Sequence, residues 1–117
     1  MFVKPMLCQA IKEDPGSGWI RELKLDGERA IIEVDSRKQI SIWSRSGKSN
    51  TFRYPEIVQA LSSHAILPMI LDGEIIGDNF SMLAQRARLS DSAKIRQSVL
   101  SNKVTFVAFD LLELNGT

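Results

Sequence analysis

Trp19-Ile20-Arg21-Glu22-Leu23-Lys24-Leu25-Asp26-Gly27-Glu28-Arg29-Ala30-Ile31-Ile32-Glu33-Val34 holds two extended runs separated by a tight turn. Asp26-Gly27 is a turn dipeptide: glycine reaches backbone angles closed to other residues, and aspartate bonds its own backbone. Before the turn, Trp19 to Lys24 reads as a strand. After it, Ala30 to Val34 is rich in β-branched residues and reads as a second. Strand alternation puts Glu22 and Lys24 on one face. The turn then returns Arg29 beside the lysine. A lysine ordinarily titrates at about 10.4, so at neutral pH only a trace is free amine. A nearby guanidinium in a partly desolvated site lowers that value, as a nucleophilic lysine requires. These residue types alone also fit an ordinary surface strand.

Working outward, Asp14-Pro15-Gly16-Ser17-Gly18 reads as a loop. Ile40, Ile42 and Ser44 alternate with Ser41 and Trp43, as in a half-buried strand. Tyr54 to Ala65 places Ile57, Val58, Leu61 and Ala65 at helical spacing, with Pro55 suited to the first turn. Met69 to Ile76 is the next strand, interrupted by Asp72-Gly73-Glu74. Phe80 to Leu89 and Ser92 to Ser101 read as helices, with Asp91 or Ser92 as the cap between them. Val104 to Leu112 is a further strand, running into Asn115-Gly116, a hairpin turn signal. This order predicts an α+β fold of mostly antiparallel sheet with flanking helices, not a doubly wound one. Only Thr117 follows the hairpin signal, so the expectation is a chain that stops inside a larger domain. The sheet edge left after Leu112 would have unpaired backbone groups, and a homodimer through that edge is one way to cover them.

Composition limits the function classes. At 117 residues, 44% hydrophobic and 25% charged, the chain resembles an ordinary soluble domain. It lacks both a run of roughly 20 apolar residues, as a membrane span requires, and a secretory leader, so an intracellular location is expected. Cys8, the only cysteine, reads as a small hydrophobe. His64, the only histidine, reads as a surface or structural residue. A net charge of +1 argues against general affinity for nucleic acid. The stretch Phe80 to Lys103 is locally basic, however, with Arg86, Arg88, Lys94, Arg96 and Lys103 against Asp91. It reads as a solvated helix face or as a surface for DNA phosphates.

Several motifs then recur in a fixed order. Lys24-Leu25-Asp26-Gly27-Glu28-Arg29 matches the K-x-D-G-x-R signature of covalent nucleotidyltransferases, which include DNA ligases, RNA ligases and mRNA capping enzymes. Ser44-Arg45-Ser46-Gly47-Lys48 with Thr51, followed by Tyr54-Pro55-Glu56, resembles the S-R-x-G-K-x-x-T and Y-P-E regions of DNA ligases. Leu71-Asp72-Gly73-Glu74 is similar to their D-G-E motif, and Phe106 to Leu112 with Asn115-Gly116 to their F-D-L-L…N-G motif. Lys4-Pro5-Met6-Leu7 resembles the segment that precedes the domain in archaeal and bacterial ATP-dependent ligases. The whole chain, 1–117, thus resembles the N-terminal portion of an ATP-dependent DNA ligase adenylation domain.

The resemblance implies roles. Lys24 would attack the α-phosphate of ATP and keep AMP as a phosphoramidate. Glu22 would read the adenine edge and Phe109 would lie against the adenine face. Glu74 would hold the ribose hydroxyl and assist Mg²⁺ or another divalent cation. Arg29 and Arg45 would approach the ribose and phosphates. Asp26 would fix the turn that aims Lys24. Nicked duplex DNA would be the substrate, with sealing during replication, repair and recombination. The family's later E-G-x-x-x-K motif, its pair of lysines and its OB-fold domain have no counterpart in these 117 residues. The 117 residues alone would then hold half a nucleotide pocket and ligate little, unless a separate chain supplied the rest. RNA ligase or capping chemistry is a weaker fit, because Ser44 to Glu56 and Phe106 to Asn115 follow the DNA ligase pattern. A non-catalytic ligase-like DNA or interaction module remains the alternative from another class.

Overall fold

A computed structural model describes residues 2–7, 16–18, 26–65 and 67–117. Four strands are formed: β1 (Glu28–Val34), β2 (Ile40–Ser44), β3 (Met69–Ile76) and β4 (Thr105–Leu114). The helices are α1 (Pro55–His64), α2 (Phe80–Ala87) and α3 (Ser92–Ser101), with a short 3-10 turn at Thr51–Arg53. The strands lie in the order β2-β1-β3-β4, and each neighbouring pair is antiparallel. This is the α+β arrangement expected from the element order. The expected strand Trp19 to Lys24 lies outside the described residues, as do Cys8 and Glu22.

Local chemistry accounts for the element ends. Asp35 Oδ1 accepts from the backbone N–H groups of Arg37 and Gln39, each at 2.9 Å, which folds the β1–β2 hairpin. Pro55 opens α1, where its missing N–H has no intrahelical bond to lose. Asn79 caps α2 by accepting from Met82 N–H at 2.9 Å. Asp91, not Ser92, caps α3 through Ala93 N–H at 2.8 Å.

Side-chain alternation sorts the sheet into two faces. Ala30 and Ile32 of β1, Ile42 of β2 and Ile75 of β3 share the face that meets Tyr54, Ile57, Leu83 and Val104. Each fully buried aliphatic side chain in this cluster stabilises the fold by about 1.5–3 kcal/mol. The second face carries Arg29, Ile31, Asp72, Glu74 and Val107 by register. Ile31 and Ile70 are buried on that side as well. Trp43 also faces it and meets Phe2 edge-on, with ring centroids 6.0 Å apart.

One reading changes here. Asp72-Gly73-Glu74 does not interrupt β3, which runs unbroken. The irregularity is in its partner: register steps between Ile70 and Leu71 and between Asp72 and Gly73 leave Leu112 and Phe109 of β4 without opposite residues. Gly73 is required by close approach, since a Cβ there would run into the Val107 carbonyl and the Phe106 ring. The hairpin signal, by contrast, is formed as read. Asn115 and Gly116 have φ of 52° and 87°, and Thr117 N–H donates to Leu114 O at 3.1 Å. Positive φ at both central positions makes this a type I′ turn.

Candidate functional site

The site is built where β1 leaves the Asp26-Gly27 turn. Gly27 passes so close to β3 that a Cβ would strike the Ile75 carbonyl. Only glycine allows that approach, so the turn is held tightly against the sheet. Glu28 and Arg29 then emerge on opposite faces. Glu28 points toward the helices, where its carboxylate accepts from Tyr54 Oη at 2.6 Å and from Asn50 Nδ2 at 2.9 Å. Burial, followed by this bond to Glu28, pushes the Tyr54 hydroxyl well above its ordinary pKa, so it remains a donor.

Arg29 points to the second face. Its Nε and Nη2 donate to the two carboxylate oxygens of Asp72, each at 2.6 Å. Such a fork is the strong form of the charge-assisted hydrogen bond. The guanidinium carbon also lies 5.0 Å from the centroid of the Phe109 ring, close enough for a cation–π contact. Phe109 reaches this position because it is the unpaired residue of the β4 bulge. Bulges re-aim side chains in this way. Phe109 stays 44% exposed as a residue, so apolar surface remains available beside Arg29.

Glu74 stands opposite Arg29 in register. Burial raises its pKa; Arg29 opposes the shift, while Asp72, Glu28 and Asp26 add to it. Arg29, Asp72, Glu74 and Phe109 therefore form one cluster with an aromatic face, a fixed cation and a carboxylate that resists ionisation. Such a cluster can stack a flat ring and exchange hydrogen bonds with hydroxyl groups. Among the described residues no three metal-ligating side chains gather. Glu74 is the carboxylate with chemistry suited to a divalent cation shared with phosphate oxygens, because Asp72 is engaged by Arg29.

Residues 3–117 match the family model of the ATP dependent DNA ligase domain. The chain belongs to this family. It is 35% identical to the bifunctional non-homologous end joining protein LigD of Bacillus subtilis over 86% of this chain and 18% of that protein. It is 33% identical to DNA ligase C of Mycobacterium tuberculosis over 96% of this chain and 32% of that protein. The solved ligase domain of M. tuberculosis LigD superposes with a TM-score of 0.60 at 29% identity, covering 82% of this chain and 30% of that one. A mycobacterial DNA ligase D complexed with ATP and MES gives a TM-score of 0.59 at 29% identity, over 82% of this chain and 30% of that chain. This ligase domain thus spans from 18% to 32% of the length of these two curated relatives.

Of the residues singled out in the sequence, the fold brings Arg29, Glu74 and Phe109 together. Lys24 and Glu22 lie outside the described residues. Arg45 lies in the exposed turn after β2, one residue past the Ser44–Ala30 pair and so level with Arg29. Its side chain has no hydrogen-bonded or ionic partner among the described residues. Asp72 was missed as a site residue, although Asp72 and Glu74 at a spacing of two had to share a face once β3 was continuous. The basic stretch also needs correction. Arg86 is fully buried; it forms a fork with Glu56 at 2.6 and 2.7 Å and donates to the Arg53 and Asn102 carbonyls. Only Arg88, Lys94, Arg96 and Lys103 are exposed. His64 is exposed, with its Nδ1 2.8 Å from Ala60 O. On the helix side, an apolar groove of about 630 Å³ runs between α1 and α3, lined by Leu61, Val99 and Phe106 among others. It contains none of the cluster on the second face.

Proposed function

We propose that these residues form the N-terminal part of the adenylation domain of an ATP-dependent DNA ligase, and that Lys24 carries AMP. The observation that carries this reading is the convergence of Arg29, Glu74 and Phe109 on one face, directly downstream of the K-x-D-G turn. Phe109 supplies the surface for adenine, with Glu22 reading the base edge. Glu74 and Arg29 suit the ribose better than the phosphates: among the described residues, the corner holding Arg29, Asp72 and Glu74 sets two carboxylates against one cation. Arg45, level with Arg29 and exposed, is the better candidate for phosphate contact. Mg²⁺ would be held by Glu74 together with phosphate oxygens. AMP would pass from Lys24 to the 5′-phosphate of a nick in duplex DNA, and the 3′-hydroxyl would displace it. The same proposal places the protein inside the cell, in repair, recombination or replication.

Positioning and charge stabilisation dominate nucleotidyl transfer. The 117 residues alone contain no E-G-x-x-x-K motif or following lysine pair, so they should bind ATP weakly and ligate little. Labelled ATP and Mg²⁺ test this. The 117 residues should stay almost unlabelled, whereas a longer polypeptide carrying the downstream motifs should trap AMP on Lys24 and lose it in Lys24→Arg. Label on another residue of the longer polypeptide would sink the assignment. Exposed Arg88, Lys94, Arg96 and Lys103 favour one second reading, a DNA-contacting module without catalysis. Salt-sensitive binding to nicked duplex, with no AMP transfer even in the longer polypeptide, would select it.

A further inference from the structure

We infer that Asp72 is a positioning residue for ribose recognition: it holds Arg29 in a fixed fork against Phe109, so that Arg29 and Glu74 address the sugar hydroxyls as separate groups. The inference rests on the proposed nucleotide site and adds a residue to which that reading gives no role. Its first support is geometry. Both oxygens of Asp72 are used by Arg29, at 2.6 Å each, and the Asp72 side chain is only 5% exposed. A planar guanidinium held through Nε and Nη2 cannot rotate about its long axis. It is therefore kept at its 5.0 Å stacking distance from the Phe109 ring.

The second support is the neighbour. Glu74 stands opposite Arg29 on the adjacent strand, where cross-strand side chains lie within reach of each other. Without the charge on Asp72, the two donors it engages would turn to Glu74. That new pair would consume the carboxylate needed by a ribose hydroxyl and draw the guanidinium away from Phe109. Asp72 thus acts on the ligand through Arg29 and Glu74, without touching the nucleotide. The backbone contributes as well, since Asp72 sits immediately before Gly73, which is pinned beneath Val107 and Phe106. The carboxylate is therefore presented from a part of β3 with little freedom to move.

The test compares binding of ATP and of 2′,3′-dideoxy-ATP to the 117-residue chain and to its Asp72→Asn variant, by titration calorimetry. The parent should favour ATP. Loss of hydrogen bonds held by a charged group is worth roughly tenfold or more in affinity. Asp72→Asn should therefore weaken ATP by about that factor and leave the dideoxy analogue nearly unchanged, compressing the preference. A merely structural role would weaken both nucleotides alike, and that result, or no change in either, overturns the inference. If Asp72→Asn fails to fold by circular dichroism, Asp72→Glu replaces it. That variant keeps the charge but displaces the guanidinium by a methylene, and it should compress the preference at least roughly threefold; an unaltered preference overturns the inference. Where the 117 residues bind too weakly to titrate, the same comparison is made in the longer polypeptide carrying the downstream motifs; no ATP binding there would sink the nucleotide reading itself, and this inference with it. Normal parental binding with an unchanged preference in the variant sinks the inference alone.

Discussion

One arginine–carboxylate fork lies on each side of the sheet, one between helices and one between strands, and the two differ in what surrounds them. Arg86 and Glu56, on the helix side, have side-chain exposures of 0% and 9%, and backbone carbonyls take further guanidinium N–H groups. The Tyr54 ring covers one side of that guanidinium at 5.5 Å. Arg29 and Asp72 have nearly the same bond lengths, but Arg29 keeps 15% of its side chain exposed and borders a partly exposed phenylalanine. The first fork is closed on all sides and ties α1, α2 and the α3 terminus together. The second is closed on one side and borders the partly exposed Phe109 on the other. The same residue types thus make an enclosed tie in one place and, in the proposed nucleotide site, a group available for recognition in the other; the surroundings make the difference.

Breaking the closed fork should give the largest effect. Arg86→Met strands the Glu56 charge in a buried setting with only the long Val104 N–H bond at 3.4 Å left to it, and a loss of about 3–5 kcal/mol is expected in denaturant unfolding. Adding Glu56→Leu should return much of it, because the stranded charge is then gone. A loss below about 1 kcal/mol for Arg86→Met would erase the distinction between the forks. Phe109→Ala probes the other side. Its ring is partly exposed, so unfolding should change by less than about 1 kcal/mol. ATP affinity should fall roughly tenfold, in line with the value of a base stacked on an aromatic ring. A large stability loss with unchanged affinity would reverse the assignment.

The smallest effect concerns Glu74. Its folded pKa is raised, chiefly by burial, so the ionised form is the one the fold disfavours. The sign follows: the stabilising contribution exists below the unfolded carboxylate pKa and is lost as pH rises through the higher folded value. Glu74→Gln should therefore melt at or slightly above the parent at neutral pH. That advantage should shrink as pH falls through the raised value. An advantage that instead grows under acid would show that the carboxylate is not held in this way.

Much of this arrangement was legible in the residues. β-Branched content located β1, period-two alternation located β2, and helical spacing from Ile57 to Leu61 located α1 with its buried face. Pairing of Arg29 with β3 was not legible, because aspartate and glycine are poor strand formers and Asp72-Gly73 was read as a break. The reason for Gly73 is the close approach of β4, a tertiary fact that no local pattern contains. Arg86 was misplaced for a different reason. A run of cations suggests a solvated face, yet Leu83 and Arg86 sit three apart on one helix face, and both are buried. That spacing was the available signal. The placing of Phe109 depends on a bulge, which is visible only when both strands are paired.

The bulge can also be seen as a matter of counting. Val107 and Ala108 alternate across the sheet, and Asp110 and Leu111 resume the alternation in the same sense, with Phe109 between them outside the count. A chain lacking this one residue would keep all its neighbours on their present faces and have a more regular β4. Phe109 is therefore a supernumerary position in the sheet's arithmetic. The fold can do without it, and its side chain is thereby released from the duty of packing.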